Sequence, residues 1–338
     1  MLREPFISIV ISSYNYGTYM KKCFKGCEMQ TFKDFELIIV DDASTDDSRL
    51  VINEFVNRNP QMSIKCIFLD KNMGIQNSRG TGLRAAHGKY VLFHDCDDWM
   101  DPNCLEVLAK CAKKTNADKI KAQIRDVNIY GKVIQERKFT PNINRWIDGM
   151  MHATLYKRQI FIDYNIEIGT SRDLDDVYLN AHFNSVCKNV EYIYQTVYNY
   201  FINANSTSGA NKNNSDYRVK IFKKNAEAIA ALQNQLDSRN RRNSEYFVIK
   251  LYIYSILQYG RNKSSRELIR YYYNLKKVIK HYFPIYAKNK NVTLFKDNGD
   301  RFYYRIIVWV CFRLEQLHLL PLALRFYLYI SKIIHFHA

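Results

Sequence analysis

"YVLFHDCDDWMDP", residues 90–102, begins as a run of strand formers and ends in a crowd of carboxylates. Tyr90, Val91, Leu92 and Phe93 read as a short buried strand, after which Asp95, Asp97, Asp98 and Asp101 arrive within seven positions. Carboxylates this close repel one another, and withdrawing them from water is costly without a compensating positive charge. The cluster is therefore either a solvated turn, with Asp as the cap of a Pro-started helix, or the grip for a cation.

Outward from this strand the chain repeats one pattern. "FISIVIS" (6–12) is a first strand followed by the turn "SYNYG", and residues 18–30 have helical spacing with Tyr19, Cys23, Phe24 and Cys27 on one side. "FELIIVDDAS" (35–44) is a second strand closing on two aspartates, and the spacing over 46–58 predicts a helix with Leu50, Val51, Phe55 and either Ile52 or Val56 inward. "SIKCIFLD" (63–70) is a third strand, and 74–88 a helix ended by Gly88. Four β-α repeats with continuous apolar strands predict an α/β fold with a mostly parallel sheet and helices on both faces. Ligands of such sheets bind beyond the carboxyl ends of the strands. Ser12–Tyr14, Asp41–Asp42 and Asp95–Asp98 all fall at those ends. The Gly-poor "SSYNYG" is neither a dinucleotide fingerprint nor a P-loop.

In order and spacing, residues 6–102 resemble the nucleotide-binding half of family 2 glycosyltransferases of GT-A fold. The resemblance weakens from 103 to about 150 and returns at "LYKRQIFIDYNIEIGTSRDLDDVYLNAHF" (155–183) and "YNYFINANSTSG" (198–209). It implies inverting transfer of a sugar from a nucleotide-sugar, with a UDP-sugar the expected donor, to a saccharide or lipid-linked saccharide acceptor. It implies a divalent metal, Mg²⁺ or Mn²⁺, at a DxD element. Asp97 aligns with the direct ligand, and Asp95 with a ribose or metal-water contact. Ser12 and Asp42 align with nucleoside contacts, Tyr14 with a residue flanking the base, and Arg79 with an arginine near the nucleotide. Asp176 of the acidic pair Asp175–Asp176 becomes the candidate base, although a first-turn acid that complements the helix dipole fits the same pattern. A hard cation suits these carboxylates because it neutralises the departing diphosphate through oxygen ligands.

The net charge of +17 is unevenly placed. Residues 1–210 carry 26 Lys+Arg against 25 Asp+Glu, whereas 211–338 carry 24 against 8, a net of +16. The boundary near 210 divides a GT-A domain (1–210) from a basic, Tyr-rich, all-helical domain (211–338), with Gly260, Pro284, Gly299 and Pro321 as punctuation. Its readings are plain packing, attachment to an anionic membrane, or nucleic-acid binding; the membrane is the favoured partner and nucleic acid is not expected. The eight cysteines include no CxxC pair and no Cys/His set with zinc-ligand spacing, and most read as apolar core positions of a reduced protein. With neither a signal-peptide pattern nor a transmembrane run, the expected location is cytoplasmic, peripheral to the inner face of the cell membrane. A lone histidine such as His94 or His152 is more often a structural hydrogen-bonder than a ligand, and His94, which borders the DxD strand, is left open between the two. Two rivals remain, a glycoside hydrolase with paired carboxylates and a catalytically silent nucleotide-sugar sensor or scaffold.

Overall fold

The computed structural model describes residues 4–147, 149–169, 176–203, 214–260 and 263–333. It divides into two compact units: residues up to Phe139 with Met150–Asn203, and Thr140–Gly149 with the chain from Ala204 onward. Thr140–Gly149 thus leaves the first unit, where a boundary at 210 alone would keep it. Its side chains bond within the second unit: Thr140 Oγ1 donates to the Gly299 carbonyl, and Trp146 Nε1 to Asn240 Oδ1.

In the first unit, β1 (Ile7–Ser13), α1 (Gly17–Glu28), β2 (Phe35–Asp41), α2 (Ser48–Arg58), β3 (Ile64–Phe68), α3 (Ile75–Ala85) and β4 (Tyr90–Asp95) follow the alternation expected from the sequence. The order β3-β2-β1-β4 is parallel throughout, with Ser13 level with Asp41 and Ser12 level with Asp95. Beyond β4 the sheet becomes mixed. It adds β8 (Thr154–Lys157), β6 (Lys119–Val127), β9 (Val190–Phe201) and the two-residue β5 (Trp99–Met100), with β7 (Val133–Arg137) hydrogen-bonded to β6. The helices α4 (Cys104–Thr115), α5 (Arg158–Asp163) and α6 (Asp176–Val186) complete the unit.

Strand alternation sends successive side chains to opposite faces. On one face, Ile9, Leu37, Tyr90 and Leu92 pack with Cys23, Phe24, Cys27 and Phe55. On the other, Val10, Ile38, Val91 and Phe93 pack with Phe161, Leu179 and Phe183. Two expectations need correction. Leu50 is 67 % exposed, because the inward stripe of α2 is Val51, Ile52 and Phe55. α3 stops at Ala85, where Ala86 turns extended, and Gly88 instead places its amide 2.7 Å from Ser8 Oγ.

The second unit holds five helices among its described residues: α7 (Ser215–Leu232), α8 (Ser238–Gly260), α9 (Ser265–Tyr282), α10 (Phe302–Gln316) and α11 (Leu320–Ile333). A capping box opens α9: Ser264 accepts the Glu267 amide while Glu267 accepts the Ser264 amide. Buried Glu315 of α10 is a meeting point. Its Oε1 accepts the hydroxyls of Tyr252, Tyr272 and Tyr286 and lies 3.2 Å from Lys276 Nζ. Among the described residues no helix is long and apolar enough to cross a membrane.

Candidate active site

The loops after β1 and β2 clasp each other at the carboxyl edge. Asn15, in left-handed conformation, donates its amide to Ser44 Oγ and accepts the Thr45 amide on Oδ1. Asp41 is a loop-holder, accepting the Ser44 amide and Arg49 Nε. Asp42 is buried, and its two oxygens take the Met73 and Gly74 amides, each at 2.7 Å. Gly74 at φ 90° occupies the left-handed region that glycine tolerates, so Asp42 fixes the entrance to α3. Ser12 is buried with its hydroxyl unpartnered among the described residues, and Tyr14 is exposed at the same edge.

Helix α3 presents Arg79, only 4 % exposed, to two carboxylates. Nη2 lies 2.6 Å from Asp95 Oδ1 at the end of β4, and Nη1 2.7 Å from Asp176 Oδ1 at the start of α6. Burial opposes the guanidinium charge, but the two carboxylates outweigh it and raise the Arg79 pKa. The resemblance sets Arg79 near the nucleotide; in the structure its planar fork joins the DxD element to the candidate base. Asp175, the other member of the acidic pair, lies outside the described residues.

The four aspartates of residues 95–101 have separate tasks. Asp95 is saturated by Arg79 and by His152 Nε2 at 3.1 Å. Burial disfavours its charge, yet these cations hold its pKa well below the usual carboxylate range. Asp98 turns into the core, accepting the Phe201 amide and the Tyr198 hydroxyl; burial pushes its pKa up. Asp101 pairs with Arg125. Asp97 is half-buried and has no ion pair among the described residues; burial and the neighbouring Asp95 charge raise its pKa to about 6.

This pattern tests whether the residues fit a divalent cation. The ionisation of Asp97 is penalised by burial and by Asp95 more than a hydrogen bond from Asn203 and the nearby His152 relieve it, and a cation would remove that deficit. Asp95, Asp98 and His152 also bring three ligand atoms within 4.8 Å of one another. The residues fit a hard cation, with Asp97 an oxygen donor held by no ion pair among the described residues and Asp95 beside it. His152 is the participant that sequence reasoning misses. Burial opposes its charge, but Asp95 and Asp98 raise its pKa. It sits in the stretch where resemblance is weakest, and no local pattern marks it.

The family model described as "Glycosyl transferase family 2" matches residues 8–179. The glycosyltransferase GlyA of Streptococcus pneumoniae serotype 4 is 28% identical over 235 residues, covering 62% of this chain and 32% of GlyA, so the chain spans about a third of that relative. Among solved structures, TarS 1–349 of S. aureus in complex with UDP aligns with TM-score 0.59 at 16% identity, covering 87% of this chain and 95% of that one. The mannosyltransferase from Pyrobaculum calidifontis in complex with GDP-Man and Mn²⁺ aligns with TM-score 0.52 at 13% identity, covering 93% and 89%. The architecture is the GT-A fold with a helical region following it, and the chain belongs to glycosyltransferase family 2.

Proposed function

We propose that this protein is an inverting, metal-dependent glycosyltransferase that moves a sugar from a nucleotide-sugar, expected to be a UDP-sugar, to the hydroxyl of a saccharide or lipid-linked saccharide. Such a reaction serves the building of a cell-surface polysaccharide or glycolipid. The observation that carries the reading is the Arg79 bridge, which draws the DxD strand end and the candidate base to one edge of the sheet. TarS solved with UDP, and the mannosyltransferase solved with GDP-Man and Mn²⁺, support this class of donor and cofactor.

In this reading Ser12, Tyr14 and Asp42 border the nucleoside. The Ser12 hydroxyl, buried and unpartnered, is the donor or acceptor to spare, whereas Asp42 first shapes the wall by holding Met73 and Gly74. Asp97, with Asp95 beside it, would hold Mg²⁺ or Mn²⁺; when bound, the ion neutralises the charge developing on the leaving diphosphate. Asp176 takes the acceptor's proton. Its Oδ1 is fixed by Arg79, and its Oδ2 has no hydrogen-bond partner among the described residues, so one oxygen is oriented and the other is available. One displacement with one base inverts the anomeric carbon.

We further propose that the second unit meets an anionic membrane surface. Phe302, Ile306 and Val310 of α10 and Leu322, Phe326 and Tyr329 of α11 are exposed, within a region of net charge +16. Incubation with a panel of nucleotide-sugars and Mn²⁺, reading nucleoside diphosphate release with and without saccharide acceptors, tests the enzymatic reading. Turnover of at least one donor is expected; metal-dependent binding with no turnover of any donor overturns it. Flotation with anionic vesicles at low salt tests the membrane reading, and failure to float removes it.

A further inference from the structure

His94 and Asp95 are neighbours in β4, and the strand sends them to opposite faces of the sheet. Asp95 meets Arg79 of α3, whereas His94 enters the core layer beneath α1. Cys23 and Cys27 stand there at i and i+4 on α1, one above the other on a single helix face. Both are fully buried, His94 is 1 % exposed, and their ligand atoms all lie within 4.8 Å of one another.

The histidine is oriented for this position. Its Nδ1 lies 2.7 Å from the Tyr198 hydroxyl, which itself donates to Asp98 Oδ2. The hydroxyl oxygen therefore accepts the Nδ1 proton, leaving a lone pair on Nε2. That Nε2 is buried and has no hydrogen-bond partner among the described residues. A carboxylate acting through a hydroxyl to fix an imidazole tautomer is the outer-shell arrangement that orients a metal-binding histidine.

We propose that Cys23, Cys27 and His94 form a site for a thiophilic cation, with zinc the best match. Two thiolates and a neutral imidazole carry a charge of −2, so Zn²⁺ leaves the dry site neutral and Cu⁺ leaves it negative. The two thiol protons leave to solvent as the cation binds. The site lies on the sheet face opposite Arg79 and is chemically distinct from the oxygen donor Asp97. The linear sequence shows only the Cys23-x₃-Cys27 pair, and His94 joins it from a distant strand.

The test uses the full chain from zinc-supplemented cells, dialysed against metal-free buffer. Elemental analysis is expected to find about one zinc per chain, and replacement by Co²⁺ to give a thiolate-to-cobalt charge-transfer band. Asp97→Ala is expected to keep both signals. Cys23→Ala/Cys27→Ala is expected to lose both while keeping the wild-type helical circular dichroism. His94→Leu, which leaves both core sulfurs in place, is the second variant and is expected to lose the zinc. A wild-type chain with neither zinc nor the cobalt band overturns the site, as does a folded double-cysteine or His94→Leu variant retaining wild-type zinc.

Discussion

Arg79 Nη1 and Asp176 Oδ1 lie 2.7 Å apart although 97 residues separate them in the chain. The same guanidinium reaches Asp95, so one buried cation holds the candidate base and the first DxD aspartate in mutual register. Breaking a buried ion pair strands the remaining charges at a cost of about 3–5 kcal/mol. Here the carboxylate side chains are 23% and 26% exposed. Arg79→Gln is therefore expected to destabilise the fold by a smaller amount, about 2–3 kcal/mol. Urea unfolding measures this. Arg79→Lys is expected to recover part of the stability but little activity, because an ammonium cannot fork between two carboxylates.

Asp176→Asn removes proton acceptance while keeping a side chain that fills the same space. Transfer is expected to fall by roughly a hundred- to ten-thousandfold, the usual contribution of a positioned base. Nucleotide affinity in the presence of Mn²⁺ is expected to hold near its wild-type value. Initial rates and titration calorimetry on one preparation check both halves, and a variant with unchanged turnover removes Asp176 from the role.

Asp97 gives a pH signature. Its pKa in the folded chain is about 6, above the ordinary value of an aspartate. The folded state then binds the extra proton, so this contribution to stability is full below about pH 4 and is lost as pH rises through 6. The slope is at most about 1.4 kcal/mol per pH unit. Denaturant midpoints across pH 4–7 without metal should show the loss, Asp97→Asn should abolish it, and Mn²⁺ should counter it by favouring the ionised form.

Gly80 on α3 is a packing constraint against the segment that follows α5. A Cβ there would sit 2.0 Å from the Ile168 carbonyl oxygen, a backbone atom that cannot rotate aside. Gly80→Ala is expected to cost about 1–3 kcal/mol as overpacking. A lowered midpoint in urea, with the helical spectrum retained, is the confirming result.

Much of this arrangement is legible in the sequence where local chemistry and global position agree. The strands β1, β2 and β4 are apolar runs bounded by turn residues, and their aspartates mark the strand ends. β6 shows the limit. "KIKAQIRDV" reads as polar, yet Lys119, Lys121 and Gln123 are buried. Lys119 Nζ finds Asn180 and Asn184, and Lys121 Nζ finds the Met150 carbonyl, partners supplied by distant segments. His152 is hidden for the same reason, since its meaning comes from Asp95 and Asp98. Asp42 is legible as a polar strand end but not as the clamp on Gly74, which only the folded chain assembles.

Glu315 gathers tyrosines from α8 and α9, a lysine from α9 and a tyrosine from the short turn Tyr286–Lys288 onto one oxygen. A keystone of this kind ties the fates of its helices together. Heating the second unit should melt these segments as one block rather than peel them off singly, and local breathing there should be as rare as complete collapse.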